Sequence, residues 1–478
     1  TLPGPKLKYL CLFGDGTYDP KNRVPNNNNY VLTYQLNLNN TSEDHIGMMP
    51  SDDYFGILDD NEAMGSSDLV DVAVGRMLVS DNQMAKELVD KVQHYMQNGS
   101  GIYSTANTNC SNDEYSSTFG DWRTKYVLIA DDEENNYFLK NDVEPQYDYV
   151  SDTLPEMNCE KIYLDAYNQV ATAGGSRYPE VNEAINSRIE RGALIMNYVG
   201  HGGEAGLAEE RIMTISMIND WKNIDVLTLL VSATCEFTKF DDPDRVSAGE
   251  FASLNPYGAA IALMTTTRSV YFSVNTNVGQ AFIREVFQRD PLTLLPRTFG
   301  EIIRKTKNEV GGNNKRSFTL IGDPALRLAL PNLSVVTDSI NGQDPVVFND
   351  TINALSTVVI KGHVNDNNGQ ILNNFNGVLY PTVYDKPKQQ QTLSNDGAAS
   401  PVYPFKTQTN KVYSGKASIT NGQFEFTFIV PKDINYAVDF GKISYYAENG
   451  TTDAFGYDTS FLIGGLNPNG LNDNIGPT

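Results

Sequence analysis

The stretch ALIMNYVGHGGE spans residues 193–204. Its apolar run, Ala193 to Met196, passes through Asn197-Tyr198-Val199 and breaks into Gly200-His201-Gly202-Gly203. A continuous run that ends in glycines predicts a strand buried on both faces, as in a parallel sheet covered by helices. TLLVSATCEF (228–237) has the same form and ends at Cys235; GAAIALMTTT (258–267) ends just before Arg268. In an open α/β sheet, ligands sit outside the carboxyl ends of the strands. These ends therefore deliver His201, Cys235 and Thr266-Thr267-Arg268 toward one rim, provided that the strands are neighbours. Thirty-four residues separate His201 from Cys235, room for one crossover helix around TISMINDWKN.

Outward from this stretch the alternation continues. KYLCLFGDG (8–16), VDVAVGRM (70–77), TKYVLIADDEENN (124–136) and KIYLDAY (161–167) read as strands and strand ends. DNQMAKELVDKVQHYMQ (81–97) reads as an amphipathic helix through Met84, Leu88, Val92 and Tyr95. PEVNEAINSRIERG (179–192) reads as a helix started by Pro179 and stopped by Gly192. TKYVLIADDEENN echoes LKYLCLFGDGTYD (7–19), which suggests two related α/β halves. The Ser/Asn/Gly-rich stretch 98–120 marks their boundary. After 333 the segments STVVIKGHV, FNGVLYPTVYD, GKASITNGQFEFTFIVP and GKISYYAEN read as strands, with a hairpin signal at Thr420-Asn421-Gly422. The expected architecture is an N-terminal α/β subdomain (1–118), a catalytic α/β subdomain (119–330), an all-β immunoglobulin-like sandwich (331–470) and a linker or the start of a further module (471–478).

The composition excludes several classes. A net charge of −23 repels phosphate backbones and argues against nucleic-acid binding. The four cysteines, Cys11, Cys110, Cys159 and Cys235, form no CxxC pair and are too few for a disulfide scaffold. No eighteen-residue apolar run or signal peptide is present, and Thr1 in place of an initiator Met is expected of a processed piece. FDDPDR (240–245) and ADDEENN (130–136) offer carboxylates to a structural Ca²⁺, or are solvated acidic turns. FGDG (13–16) lacks the spacing of a phosphate loop.

A thiol nucleophile needs a base within reach and an oxyanion hole. Cys235 is the candidate nucleophile and His201 the candidate base. Gly202 N–H and Cys235 N–H are the candidate oxyanion donors, glycine allowing close approach of the main chain. Glu133 is the candidate for orienting the imidazole, with Asp131 and Asp132 as rivals. Glu236, Thr266, Arg268 and Tyr271 are candidate substrate contacts; Phe272 is an alternative wall, and Arg268 reads equally as half of a structural ion pair.

The pairing of LIMNYVGHGG with a following strand that ends SATC resembles the caspase-type cysteine peptidases of the gingipain family. CLFGDGTYDP (11–20), SDDYFGILDD (51–60), DVAVGRM (71–77), CEKIYLDAY (159–167), RTFGEIIRKTKN (297–308) and FTLIGDPALRLALP (318–331) extend the likeness in order. It implies a caspase-like parallel-sheet unit followed by an immunoglobulin-like module, with catalytic His201 and Cys235. NYVGHGGEAGLAEERI, ATCEFTKFDDP, SAGE (247–250) and LMTTTRSVY (263–271) look most like the branch that serves as sortase of the type IX secretion system. That likeness implies a transpeptidase at the bacterial outer membrane and cell surface. Its partners would be cargo proteins carrying a C-terminal signal domain, a lipopolysaccharide amine as acceptor, and an outer-membrane barrel. No cofactor is implied for the reaction. Thr234 stands where secreted gingipains have Ala, which argues against carrying over their Arg or Lys specificity. A surface endopeptidase without transfer, and a degenerate binding module, remain alternatives.

Overall fold

A computed structural model describes residues 7–25, 27–37, 48–98 and 118–468. The expected linker at 471–478 and Cys110 lie outside them, as does most of the boundary stretch. The core element is an eight-stranded sheet: β1 (Tyr9–Phe13), β2 (Ala73–Met77), β3 (Lys125–Ala130), β4 (Asn158–Tyr163), β5 (Ile195–Val199), β6 (Thr228–Ala233), β7 (Ala260–Thr266) and β8 (Phe318–Ile321). The spatial order is β1-β2-β8-β7-β6-β5-β3-β4. Both expected α/β halves thus share one sheet.

Every residue of β2, β3 and β5 to β8 is buried, which is why these segments read as largely apolar runs. Alternate residues serve opposite faces: Leu128, Ala130, Leu229 and Val231 join one core layer, and Val127, Ile129 and Leu230 the other. Helix α1 (Asn82–Met96) starts at Asp81, whose side chain accepts from Met84 N. Helix α3 (Pro179–Arg191) ends at Gly192, with φ 79°, and covers one face with Val181, Ile185 and Ile189. Between them in sequence lies α2 (Glu144–Thr153). Helix α4 (Ile215–Asp220), in the expected crossover, and α5 (Ala248–Leu254) follow. Among the described residues no helix is long and apolar enough to cross a membrane.

The expectation of a wholly parallel sheet is corrected. β3 to β7 are parallel, and β1, β2 and β8 are parallel to one another, but β8 meets β7 antiparallel. The cause is the connection. The chain leaves β7 through two successive helices, α6 (Phe272–Val286) and α7 (Phe299–Glu309). One helix returns a chain to the end it started from; two bring it to the opposite end, so β8 enters reversed.

The motifs DVAVGRM and SDDYFG meet in buried ion pairs. Arg76 on β2 is fully buried and grips Asp52 through two hydrogen bonds of 2.9 and 2.7 Å. Asp53 accepts from Lys307 of α7 at 2.6 Å and from Arg316 at 2.9 Å, both buried.

The C-terminal unit is all-β, but the expected two-sheet sandwich is corrected to a closed barrel. Its strands are β9 (Leu333–Ile340), β10 (Thr357–Asn365), β11 (Gly377–Tyr384), β12 (Ala417–Thr420), β13 (Gln423–Ile429), β14 (Lys442–Glu448) and β15 (Asp453–Asp458). They run β11-β12-β13-β10-β9-β15-β14, and β14 pairs back with β11 along its whole length, from Val378↔Glu448 to Tyr384↔Lys442. That pairing joins what would have been two facing sheets. The hairpin β12–β13 turns at Asn421 and Gly422, both with positive φ (52° and 76°), as the Asn-Gly signal required.

The barrel covers the exposed edge of the main sheet. Phe405 packs edge-on to Tyr163 of β4, centroids 5.0 Å apart. Asn158 donates to Ser444 Oγ at 2.8 Å and Lys442 Nζ to Met157 O at 2.8 Å. A loop after residue 391 docks on buried Asp165, which accepts from Ser394 N (3.0 Å), Asn395 N (2.7 Å) and Asn395 Nδ2 (3.0 Å). An edge strand so covered offers no template for foreign pairing.

Candidate active site

β5 and β6 are neighbours, with Ser232 beside Tyr198 and Ala233 beside Val199. Because they run parallel, both chains leave the sheet at the same rim. His201 and Cys235 each stand two residues past the last paired position. The two loops touch: Gly200 N donates to Ala233 O at 3.4 Å, and a Cβ on Gly202 would lie 2.7 Å from Thr234 Oγ1. Only glycine fits at that approach. Cys235 is half-buried and carries a free thiol; His201 is half-exposed.

The turn before Cys235 is fastened from below. Thr266 Oγ1 donates to Thr234 O, and Asn275 of α6 donates to Ala233 O at 3.2 Å. Ser232 and Thr238 both bond Thr265 Oγ1, at 2.8 and 2.9 Å. In SAGE, Ser247 and Glu250 form a reciprocal capping box on α5. A Cβ on Gly249 would meet Thr238 Oγ1 at 1.8 Å. Ala248 N donates to Glu204 O at 2.7 Å and Gly249 N to Phe237 O at 2.9 Å, so this motif ties the cysteine loop to the histidine loop.

His201 is held at its backbone and its ring. Its N–H donates to Asp131 Oδ2 at 2.7 Å. Its carbonyl accepts from Tyr198 Oη and from Ala208 N. That last bond makes Gly202–Leu207 the open pair of the following hairpin, which leaves the Gly202 N–H off the ladder. The imidazole packs edge-on to Phe138 (5.4 Å) and Phe272 (5.8 Å); Phe138 opens a π-helical turn over Phe138–Val143. Nε2 lies 3.2 Å from Glu133 Oε2 and 3.5 Å from Glu134 Oε1. The approach is off the N–H direction, an electrostatic contact rather than a formed hydrogen bond. Burial pushes the Glu133 carboxyl up, against the pull of His201.

Of the three acids that the sequence offers for orienting the ring, Glu133 reaches it. Asp131 holds the His201 backbone, and Asp132 accepts from Tyr178 Oη at 2.5 Å. Asp131, Asp132 and Glu210 are buried together; burial lifts Asp131 well above the usual carboxylate range, Asp132 to about 6 and Glu210 to about 7. The loops also carry residues in the left-handed region: Glu134 (φ 58°), Asn135 (56°), Asn136 (59°), Ala208 (57°), Arg211 (60°) and Glu236 (53°). Such backbone costs on the order of 1 kcal/mol per residue and concentrates at functional sites.

A cleft of about 890 Å³ opens beside His201, lined among others by Gly202, Glu204, Leu207, Met213 and Glu236. Glu204 is tied to Lys239 (2.6 Å) and Arg245 (3.0 Å), which leaves Glu236 as the acid next to the thiol. Tyr271 is exposed just before α6, and Phe272 forms a wall against the imidazole. Thr266 is wholly buried, its hydroxyl spent on Thr234 O. Arg268 is engaged by Asp241 through two bonds of 2.8 Å; of its two readings, the structural ion pair is the one formed. The same pair removes Asp241 from the carboxylates that FDDPDR offers to a cation. Phe138 and Asn275 had no signal in the sequence, since neither stands near a strand end.

Residues 1–329 match the family model of peptidase family C25. No curated protein matches the chain. Among solved structures, the Arg-specific cysteine proteinase gingipain R (RgpB) is 14% identical, with 96% of this chain and 84% of that one covered and a TM-score of 0.47. Dimeric latent PorU from Porphyromonas gingivalis is 23% identical, with a TM-score of 0.37; the alignment covers 99% of this chain but only 38% of that PorU chain. The family match extends over the whole sheet that carries His201 and Cys235, and the chain accordingly belongs to peptidase family C25, the gingipain-type cysteine peptidases of clan CD.

Proposed function

We propose that Cys235 is the nucleophile and His201 the base of a cysteine endopeptidase that can also transfer its acyl group to an amine. The observation that carries this is the parallel register of β5 and β6, which brings both residues to one rim. His201 takes the thiol proton as sulfur attacks the scissile carbonyl, and the oxyanion rests on the Gly202 and Cys235 N–H groups. The C–N bond then breaks, and the departing amine takes the proton from His201, leaving a thioester. An acceptor amine or water attacks the thioester, yields an amide or an acid, and restores the thiol. Glu133 orients the imidazole and favours its charged form.

The finer reading is a sortase of the type IX secretion system at the bacterial outer membrane and cell surface. Its cargo would be exported proteins with a C-terminal signal domain, its acceptor a lipopolysaccharide amine, and an outer-membrane barrel its partner. The motifs around His201, Cys235 and Ser247–Glu250 support it. Incubating the chain with a cargo substrate and an amine acceptor tests both steps. The amide product is expected; cleavage with only hydrolysed product sinks the transfer reading and keeps the peptidase. No cleavage and no labelling of Cys235 by an alkylating peptide sinks both.

A further inference from the structure

The cleft of about 890 Å³ lies on a definite side of the reacting atoms. His201 lines it, and it runs on along the Gly202 hairpin to Met213 and Ile215. The imidazole is walled elsewhere by Phe138 and Phe272, which take no part in the cleft. In the proposed reaction His201 hands its proton to the departing amine, so that amine leaves beside the imidazole. The cleft is the open space there. An acceptor amine attacks the thioester along the same path in reverse, and therefore approaches through the cleft.

The charges along this path leave one carboxylate over. Glu204 is bonded to Lys239 (2.6 Å) and Arg245 (3.0 Å). Glu209 and Arg211 are exposed and opposite in sign. Glu236 is half-buried, and among the described residues no cation stands at ion-pair distance from it. Lys239, the cation that its charge reaches, is spent on Glu204 and Asp242. Glu236 also keeps a left-handed backbone (φ 53°), which disfavours any residue but glycine and concentrates at functional sites. A carboxylate next to the thiol opposes formation of the thiolate, so the first half of the reaction gains nothing from it. A cation entering the cleft reverses that balance, and Leu207, Met213 and Ile215 offer an apolar wall to an aliphatic arm. We propose that Glu236 holds the acceptor, a positively charged aliphatic amine, and thereby favours aminolysis of the thioester over hydrolysis. The inference rests on the transfer reading given above. The attacking nitrogen, its extra proton released to solvent, forms the C–N bond as the C–S bond breaks. Its next proton passes to His201 and from there to the thiolate, which restores the thiol.

The test uses the whole chain with a cargo substrate and two acceptors. Ethylenediamine carries an ammonium beside a free amine at neutral pH; hydroxylamine is uncharged there. Mass spectrometry reads the ratio of acceptor adduct to hydrolysed acid, a ratio that does not depend on how fast the thioester forms. Glu236→Gln should lower the ratio for ethylenediamine by roughly fivefold relative to that for hydroxylamine, and Glu236→Asp should restore part of it. Equal falls for the two acceptors, or no fall, overturn the subsite and leave the transfer reading standing. Acid alone from the unmodified chain, with either acceptor, overturns the transfer reading and the subsite with it. Should the variants fold poorly, salt decides in the unmodified chain. Added salt should lower the ethylenediamine ratio and spare the hydroxylamine ratio; equal responses overturn the subsite.

Discussion

At the scale of single residues, the proposed reaction centre separates groups that react from groups that place them. Cys235→Ala should abolish cleavage, and His201→Ala should lower kcat/KM by on the order of 10³-fold or more, read from initial rates on a cargo peptide. Glu133→Gln keeps the shape but loses the charge beside Nε2, so a smaller loss, roughly 10- to 100-fold and mostly in kcat, is expected. Gly202→Ala is the sharper probe of geometry. Its Cβ would press on Thr234 Oγ1 at 2.7 Å and Gly206 O at 3.0 Å and force the two loops apart. It should lower kcat, with some loss of Tm because Thr234 is buried. A variant with normal kcat would show that the reaction does not need so close an approach of the two loops. These positions were legible in the sequence because strand ends and glycines announce them. What stands behind them was not: Asp131 as backbone anchor, Phe138 as ring wall, and Asn275 under Ala233 all depend on which elements meet in space.

At the scale of elements, buried charge decides more than helix propensity. Asp53 neutralises both Lys307 and Arg316. Asp53→Ala would leave two buried cations unpaired, and a loss of about 3–5 kcal/mol is expected from denaturant unfolding; a loss under about 1 kcal/mol would show that water reaches them. Glu250 gives a pH dependence. Burial raises its carboxyl to about 8, against the hydrogen bonds from Ser247. A group raised in the folded state holds its proton longer there than in the unfolded chain. Its contribution is therefore full below about pH 4.5 and is lost as pH rises through about 8. Glu250→Gln removes this term, so its Tm should fall less than the parent's between pH 5 and 8 in melting curves. Element boundaries followed their signals where caps and periodicity are local, as in α1, α3 and the Asn421-Gly422 hairpin. KIYLDAY ends its strand early, at Tyr163, because Leu164–Ala166 turns into a 3₁₀ segment that presents Asp165 to the barrel. No local pattern encodes that docking.

At the scale of the molecule, the barrel is a brace for the sheet edge nearest the site. Asp165→Ala removes the acceptor for three N–H donors from Ser394 and Asn395. Hydrogen exchange at those amides should speed up while the amides of β9 to β15 keep their protection; unchanged exchange at Ser394 would show that the contact adds nothing in solution. The alternation of apolar runs and helices made the α/β class readable, and the switch to period-two patterning after 333 made the all-β class readable. The antiparallel seam and the closure of the barrel were not readable. Both are set by pairings between distant strands, β8 with β7 and β14 with β11, whose own residues would satisfy either arrangement.

That seam bears on the order in which the chain can be built. β1 and β2 emerge first, yet the edge of β2 that faces the rest of the sheet waits for β8, with Ile321 beside Arg76. Asp53 likewise waits, since Lys307 and Arg316 arrive only with the last helix and strand. On a ribosome or during passage through a membrane, the N-terminal third would stand unfinished until nearly all of the peptidase unit has followed it. A contact of such long range slows folding. It also makes the last step of assembly, the insertion of β8 between β2 and β7, the moment at which the two halves become one sheet.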